Sequence, residues 1–293
     1  MNNFTKSFFT FSLLFLMNPV FSQVNDETFK AIPLQDLFGT NTKVLGLKGT
    51  VKVMQEKKFI LDAKGNKTAD SLVFSNLYKF NNDGLTTECV QNYKALQSKK
   101  YFFSYTNQGY VSHIDIETIH FYIEKDSTDA IWVNQSETPD YSTVDYKYVR
   151  KKNILYKGEE EISGLPKKVN SRNEFFYHFN EEDKIIQVDD KTSDYTTNYS
   201  YTPNDLVKEI QIFKSGSVFN KNSYKYDRNN RIVNIITINL KSNTKEPNKE
   251  TAISYKLDDN GNIIEKKMKT YAYAPNGNKE FLESFLYEYN YIY

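Results

Sequence analysis

One motif recurs along this chain and restricts what it can fold into: two aromatic residues separated by a single residue, a short polar stretch, and then a β-branched residue. It opens at Tyr78-Lys79-Phe80, Phe103-Ser104-Tyr105, Tyr146-Lys147-Tyr148, Tyr177-His178-Phe179, Tyr199-Ser200-Tyr201, Tyr224-Lys225-Tyr226, Tyr255-Lys256-Leu257 and Tyr287-Glu288-Tyr289, with leucine replacing the second ring once. Successive openings stand 25, 43, 31, 22, 25, 31 and 32 residues apart. A period that drifts this much suits hairpins with outer loops of variable length, not the fixed coil of a solenoid.

Residues two apart on a strand share a face, so both rings lie on one side and the residue between them, usually Lys or Ser, on the other. The pattern predicts one buried and one wetted face. Four residues past the second ring stand Gly84, Gly109, Lys152, Asp183, Asp205, Asn230 and Gly261; all but Lys152 are types that tolerate a left-handed backbone. The residues before them, such as Asn81-Asn82-Asp83, Thr202-Pro203-Asn204 and Asp227-Arg228-Asn229, favour a type I turn. A type I turn closed by a left-handed residue is a common hairpin connection, so that conformation is assigned to Gly84, Gly109, Asp183, Asp205, Asn230 and Gly261. Two positions further on come Thr86, Val111, Ile154, Ile185, Val207, Ile232 and Ile263, each β-branched as a returning strand prefers.

No helical period competes, and helix is confined to a turn or two between Pro33 and Phe38. No Pro/Ser linker or charge block divides the chain. Residues 23–75 therefore read as an N-terminal β section of the domain that carries the hairpins of 76–293. The expected fold is all-β: an extended, twisted antiparallel sheet of successive hairpins that stays open, curls or wraps in part. Cys89 is the only cysteine and forms no internal disulfide, so stability must come from apolar burial, which 15% aromatic residues supply.

Tyr224-Lys225-Tyr226-Asp227 followed by Asn230-Arg231-Ile232, and Tyr255-Lys256-Leu257-Asp258-Asp259-Asn260-Gly261-Asn262-Ile263, resemble the YD repeats of the RHS family, and more closely the exported YD-like repeat proteins of Bacteroidetes. The resemblance covers about Leu77 to Tyr293 and implies a spiralling antiparallel sheet that encloses a cargo in the longer members. This chain is too short for such a closed cocoon, its glycine column is often Asn or Asp, and no toxin-like tail follows Tyr293.

Export is written in the first 22 residues: Lys6, the apolar run Phe8 to Met17 broken only by Thr10 and Ser12, and the triplet Val20-Phe21-Ser22 form a signal peptide cut between Ser22 and Gln23. An apolar run of this length falls short of the roughly 20 residues that cross a bilayer, so no transmembrane segment is expected after its removal. No cysteine follows the cut to carry a lipid. The 38 basic and 37 acidic residues nearly cancel, which argues against a nucleic-acid partner and leaves an envelope protein or glycan as the expected partner.

Catalytic signatures are sparse. No nucleophile elbow, zinc-protease motif or phosphate loop is present, no cofactor is indicated, and no catalytic or metal residue is assigned. Cys89 lacks a nearby histidine and reads as a strand residue. His113, Asp115 and Glu117 share a strand face at metal-ligand spacing, but the same alternation describes any half-exposed strand. Asp258 to Asn262 mimic a calcium loop until the glycine falls one place early and Lys269 takes the twelfth position. Trp132, outside the repeat, is the candidate binding residue. Three functions compete: an exported non-enzymatic scaffold or binding protein of the cell envelope or extracellular space; a secreted hydrolase of envelope or extracellular polymers using Asp and Glu; and an outer-membrane barrel. The last is suggested by alternating Phe285, Tyr287, Tyr289, Tyr291 and Tyr293. It is disfavoured by lysines on both faces of Ile263–Lys269.

Overall fold

The computed structural model describes residues 41–93, 97–125, 131–135, 138–163, 167–240, 248–274 and 277–293, with backbone alone at 69–70, 122–125 and 131–135. The expected leader with its Ser22/Gln23 cut, and the helical turn at 33–38, lie outside the described residues. The described chain runs through seventeen strands. They are β1 (Val53–Leu61), β2 (Lys67–Phe80), β3 (Thr86–Tyr93), β4 (Gln97–Tyr105), β5 (Val111–Lys125), β6 (Ile131–Gln135), β7 (Asp140–Lys151), β8 (Ile154–Ser163) and β9 (Lys168–Phe179). They continue as β10 (Ile185–Asp190), β11 (Tyr195–Tyr201), β12 (Val207–Lys214), β13 (Ser217–Tyr226), β14 (Ile232–Asn239), β15 (Lys249–Leu257), β16 (Ile263–Tyr273) and β17 (Lys279–Ile292). β2 crosses the boundary at 75/76, and both of those sections lie in one sheet.

Apart from β6, each strand pairs antiparallel with the next strand of the wall, and the sheet then closes on itself because β1 bonds both β2 and β17, with Met54 opposite Tyr291 and Lys58 opposite Tyr287. The lower part of β5 pairs with β7 while its far end carries β6 as a projecting hairpin. Sixteen strands therefore form the wall. The open or partly wrapped sheet expected from the repeats is corrected to a closed barrel: an even number of wall strands brings β17 alongside β1 in antiparallel sense, so that the wall has no free edge among the described residues.

The repeat turns all lie at one end of the barrel, together with Tyr293. Here the left-handed positions are Gly84 (φ 78°), Gly109 (82°), Asp183 (64°), Asp205 (63°), Asn230 (62°) and Gly261 (82°). In each turn the first residue accepts from the αL amide, as in Asn230 N–H to Asp227 O at 3.0 Å. Asp227 Oδ1 also takes the Asn229 and Arg231 amides at 2.8 and 2.9 Å, which explains the Asn, Asp and Thr preference at that place. Each such turn is followed by a one-residue register shift, as between Lys225 and Tyr226, the signature of a bulge that bends the strand. Lys152 also has positive φ (53°), in a two-residue turn between Lys151 and Ile154.

The aromatic face points inward. Phe74, Tyr78, Tyr101, Tyr177, Phe179, Tyr287 and Tyr289 are buried there, with Val111, Ile185, Val207, Ile232 and Ile263 beneath them. The two columns read from the sequence are joined by a bond that the sequence did not reveal. Tyr105, Tyr148, Tyr226, Tyr255 and Tyr291 donate their hydroxyls to the carbonyls of Thr86, Val111, Val207, Ile232 and Ile263 at 2.6–2.7 Å. Tyr201 does the same to Ile185. The ladder to the following strand starts two residues later in every case, at Glu88, His113, Glu209, Asn234, Glu265 and Gln187. The β-branched residue would otherwise carry an unpaired carbonyl. Where the main chain bonds further down, as Phe80 N–H to Lys52 O and Phe179 N–H to Asn153 O, the ring is phenylalanine. Tyr226→Phe should therefore cost about 1–3 kcal/mol in urea unfolding, while Phe179→Tyr should gain nothing.

Burial is uneven around the wall. From β14 through β17 and β1 to β7 the inner face contributes to one continuous core. Along β11 to β14 the residues above the turns, including Tyr199, Ile210, Ile212, Asn222 and Thr237, are only half-buried. Sixteen strands about 4.8 Å apart give a girth of more than about 75 Å, more than one layer of side chains fills, which leaves the inner face of β11–β14 partly exposed.

Candidate functional site

The turn end carries the most elaborated feature, a strap formed by residues 41–49. Its start is tied to the β2–β3 turn: Thr42 N–H donates to Gly84 O at 2.9 Å, and Asn41 bridges Leu85. Its far end is tied to the β15–β16 turn by Asn262. That buried amide accepts from Lys48 N–H at 2.7 Å and donates to Lys48 O at 3.0 Å, and its nitrogen also reaches Tyr293 Oη at 2.9 Å. Tyr293 in turn donates to Asp258 at 2.7 Å. Burial works against the Asp258 charge, but this hydroxyl and the turn amides outweigh it and hold the carboxyl below its usual range. Between its ties the strap sinks Leu45, and beyond them Val51, into the aromatic core.

A cavity of about 320 Å³ opens beside the strap. Its origin is a step in the wall. On five strands the carbonyl-seeking tyrosine is the second ring of its pair or stands beyond it, but on β15 it is the first, Tyr255. The β15–β16 hairpin thus projects two residues, about 7 Å, past the neighbouring β13–β14 turn. Leu257 lies on that projection, 41% exposed. The strap leans on the projecting tip, and the cavity occupies the recess between strap, tip and the Asn229–Arg231 turn. Leu45, Leu257 and Ile263 give it apolar surface, while Lys43, Lys48 and Arg231 are its charged residues; no carboxylate side chain lines it. Arg231 is held by Asp227 through Nε at 2.8 Å and Nη2 at 2.6 Å. Lys43 and Lys48 make no ion pair among the described residues.

The residues singled out in the sequence go elsewhere. Trp132 lies on β6 opposite Glu124, with its side chain outside the described residues. Cys89 is buried on the inner wall, where burial first and then the nearby Glu56 and Glu88 charges push its thiol well above the ordinary range; a thiolate nucleophile is not available there. His113, Asp115 and Glu117 do share the outer face. His113 gives Nδ1 to Asp145 at 2.6 Å and Nε2 to Asp115 at 3.0 Å, so both ring nitrogens are taken. Slight burial opposes its protonation, and these two carboxylates outweigh it and raise its pKa. Among the described residues no cluster of His, Cys, Asp and Glu is arranged to hold a metal. The false calcium loop contains the strap's clasp, Asn262, whose role the repeat pattern does not reveal because its partner Lys48 is 214 residues away.

These features define an antiparallel sixteen-strand barrel with hairpin turns at one end and a strap across part of that mouth. No protein family and no curated protein matches the chain. Two solved structures align over most of it: a porin-like protein from Bacteroides uniformis, with 10% identity, 84% of this chain and 99% of that one covered and a TM-score of 0.33, and a porin-like protein from Bacteroides vulgatus, with 12% identity, 80% and 97% covered and a TM-score of 0.25.

Proposed function

We propose that this chain is an exported, non-enzymatic binding protein that works in the aqueous part of the cell envelope or outside the cell. The observation that carries this reading is the direction of the barrel's amphipathy. Most rings point in and most charges point out, the inward Lys58 and Lys266 against Tyr287 being exceptions, with Asp115 and Asp145 more than half exposed on the outer wall and Lys256 and Arg172 more so. A lipid-facing barrel needs the reverse, since Lys or Arg at the bilayer midplane costs about 2–4 kcal/mol each. The leader read in residues 1–22 supports export, and the occupied nitrogens of His113 and the buried Cys89 support binding over catalysis.

The mature chain from Gln23 is expected to purify without detergent, give a single sharp unfolding transition and stay in the aqueous fraction when mixed with envelope vesicles. As bait on native envelope extract it should retain a protein or glycan. Dependence on detergent together with flotation on vesicles would overturn the aqueous assignment, and turnover of peptidoglycan or polysaccharide, absent from a heat-denatured control, would overturn the non-enzymatic one.

A further inference from the structure

We infer that the recess beneath the strap is a binding site for a small amphiphilic anion, a carboxylate, sulfonate or phosphate group on an apolar body. The inference goes beyond the proposed function and shares with it only the assumption that the turn end faces water. Three observations converge on it. The volume, about 320 Å³, falls at the lower end of pockets that enclose small organic ligands. Its charged lining is all of one sign, and the carboxylates beside it are engaged within their own turns: Asp227 by Arg231 and two turn amides, Asp258 by Tyr293 and the Asn262 amide. The apolar surface includes Leu257, which the neighbouring turn leaves uncovered because the hairpin projects past it.

These parts divide the work. Lys43 and Lys48 supply mobile cations with no competing partner among the described residues. Arg231 supplies a guanidinium held in place by Asp227 rather than free to swing. A ligand's apolar body rests on Leu257, Leu45 and Ile263, which removes Leu257 from water. The strap's clasp holds the lysines over the recess: Asn262 fixes the Lys48 backbone through both its N–H and its carbonyl. A purely apolar molecule would leave the cations unused, and a fully hydrophilic anion would leave the leucines exposed, so the lining selects for both properties together.

The test uses the detergent-free mature protein and two fluorescent probes, the anion 8-anilinonaphthalene-1-sulfonate and the uncharged N-phenyl-1-naphthylamine. One saturable site is expected for the anion, at least tenfold tighter than for the neutral probe and weakened by raising the salt from 20 to 500 mM, as a fall in screening length from about 20 Å to about 4 Å implies. Leu257→Trp, which fills the recess, should abolish that site. The Lys43→Gln/Lys48→Gln pair, confined to exposed side chains, should weaken it at least fivefold, and Lys151→Gln on the far wall should leave it unchanged. Equal affinity for the two probes, or anion binding that survives both the Leu257 and the lysine substitutions, would overturn the inference. If Leu257→Trp fails to fold, the lysine pair alone decides. A protein that proves insoluble without detergent fails the earlier proposal before any probe is added, so the two failures are distinguishable.

Discussion

Tyr287→Ala is expected to destabilise the barrel by about 3–5 kcal/mol, the range for emptying a fully buried aromatic site, and to shift the urea midpoint accordingly. Tyr287 is 1% exposed and lies on β17 at the seam where the wall closes. Its flanking partners are Lys266 on β16 and Lys58 on β1, whose ammonium groups stand 4.1 and 5.2 Å from the ring centre. Truncation removes the apolar contact and also the ring face to which two inward lysines are directed. Tyr141→Ala is the matched control, because Tyr141 on the outer wall is 66% exposed; that change should stay within about 0.5 kcal/mol. Equal melting of the two variants would mean that the seam between β1 and β17 does not form in solution.

Gly84→Val should be the most damaging of the turn substitutions. The left-handed backbone at φ 78° costs a non-glycine residue about 1–2 kcal/mol, and a Cβ here would stand 2.0 Å from Thr42 Oγ1 and 3.2 Å from Thr42 Cβ. The strap must then lift, losing the Thr42 N–H to Gly84 O bond, for a total of about 3 kcal/mol or more. Gly216 has nearly the same φ, 76°, and open space around its Cβ position, so Gly216→Val isolates the backbone cost. The difference in stability between the two variants measures the strap, and adding Thr42→Ala should recover part of it. Identical stabilities for Gly84→Val and Gly216→Val would place the strap away from the turn.

The hairpin turns were legible because each is encoded within about seven consecutive residues. The acceptor side chain at Asp227, the left-handed residue at Asn230 and the β-branched Ile232 satisfy one another locally. The facing of the rings was legible for a similar reason, since alternation along a strand is a property of the strand itself. The candidate site was not legible. Asn262 looked like part of a turn, and Leu257 looked like a lapse in the aromatic column. Their roles depend on a two-residue step between β14 and β15 and on a strap segment more than 200 residues earlier.

Composition, turn chemistry and alternation by themselves determined an all-β chain of antiparallel hairpins with an aromatic inner face and a charged outer one. Whether that ribbon remained open was decided by the tertiary structure alone. Strand pairing is made by backbone groups that are the same in every residue, so nothing in β1 or β17 names the other; Met54 meets Tyr291 because the accumulated twist, bulges and strand number bring the two edges into register. The strap and the recess beneath it exist only once that circle is complete, since the strap ties the β2–β3 turn to the β15–β16 turn, and the tyrosine-to-carbonyl bonds need two neighbouring hairpins that no single repeat contains.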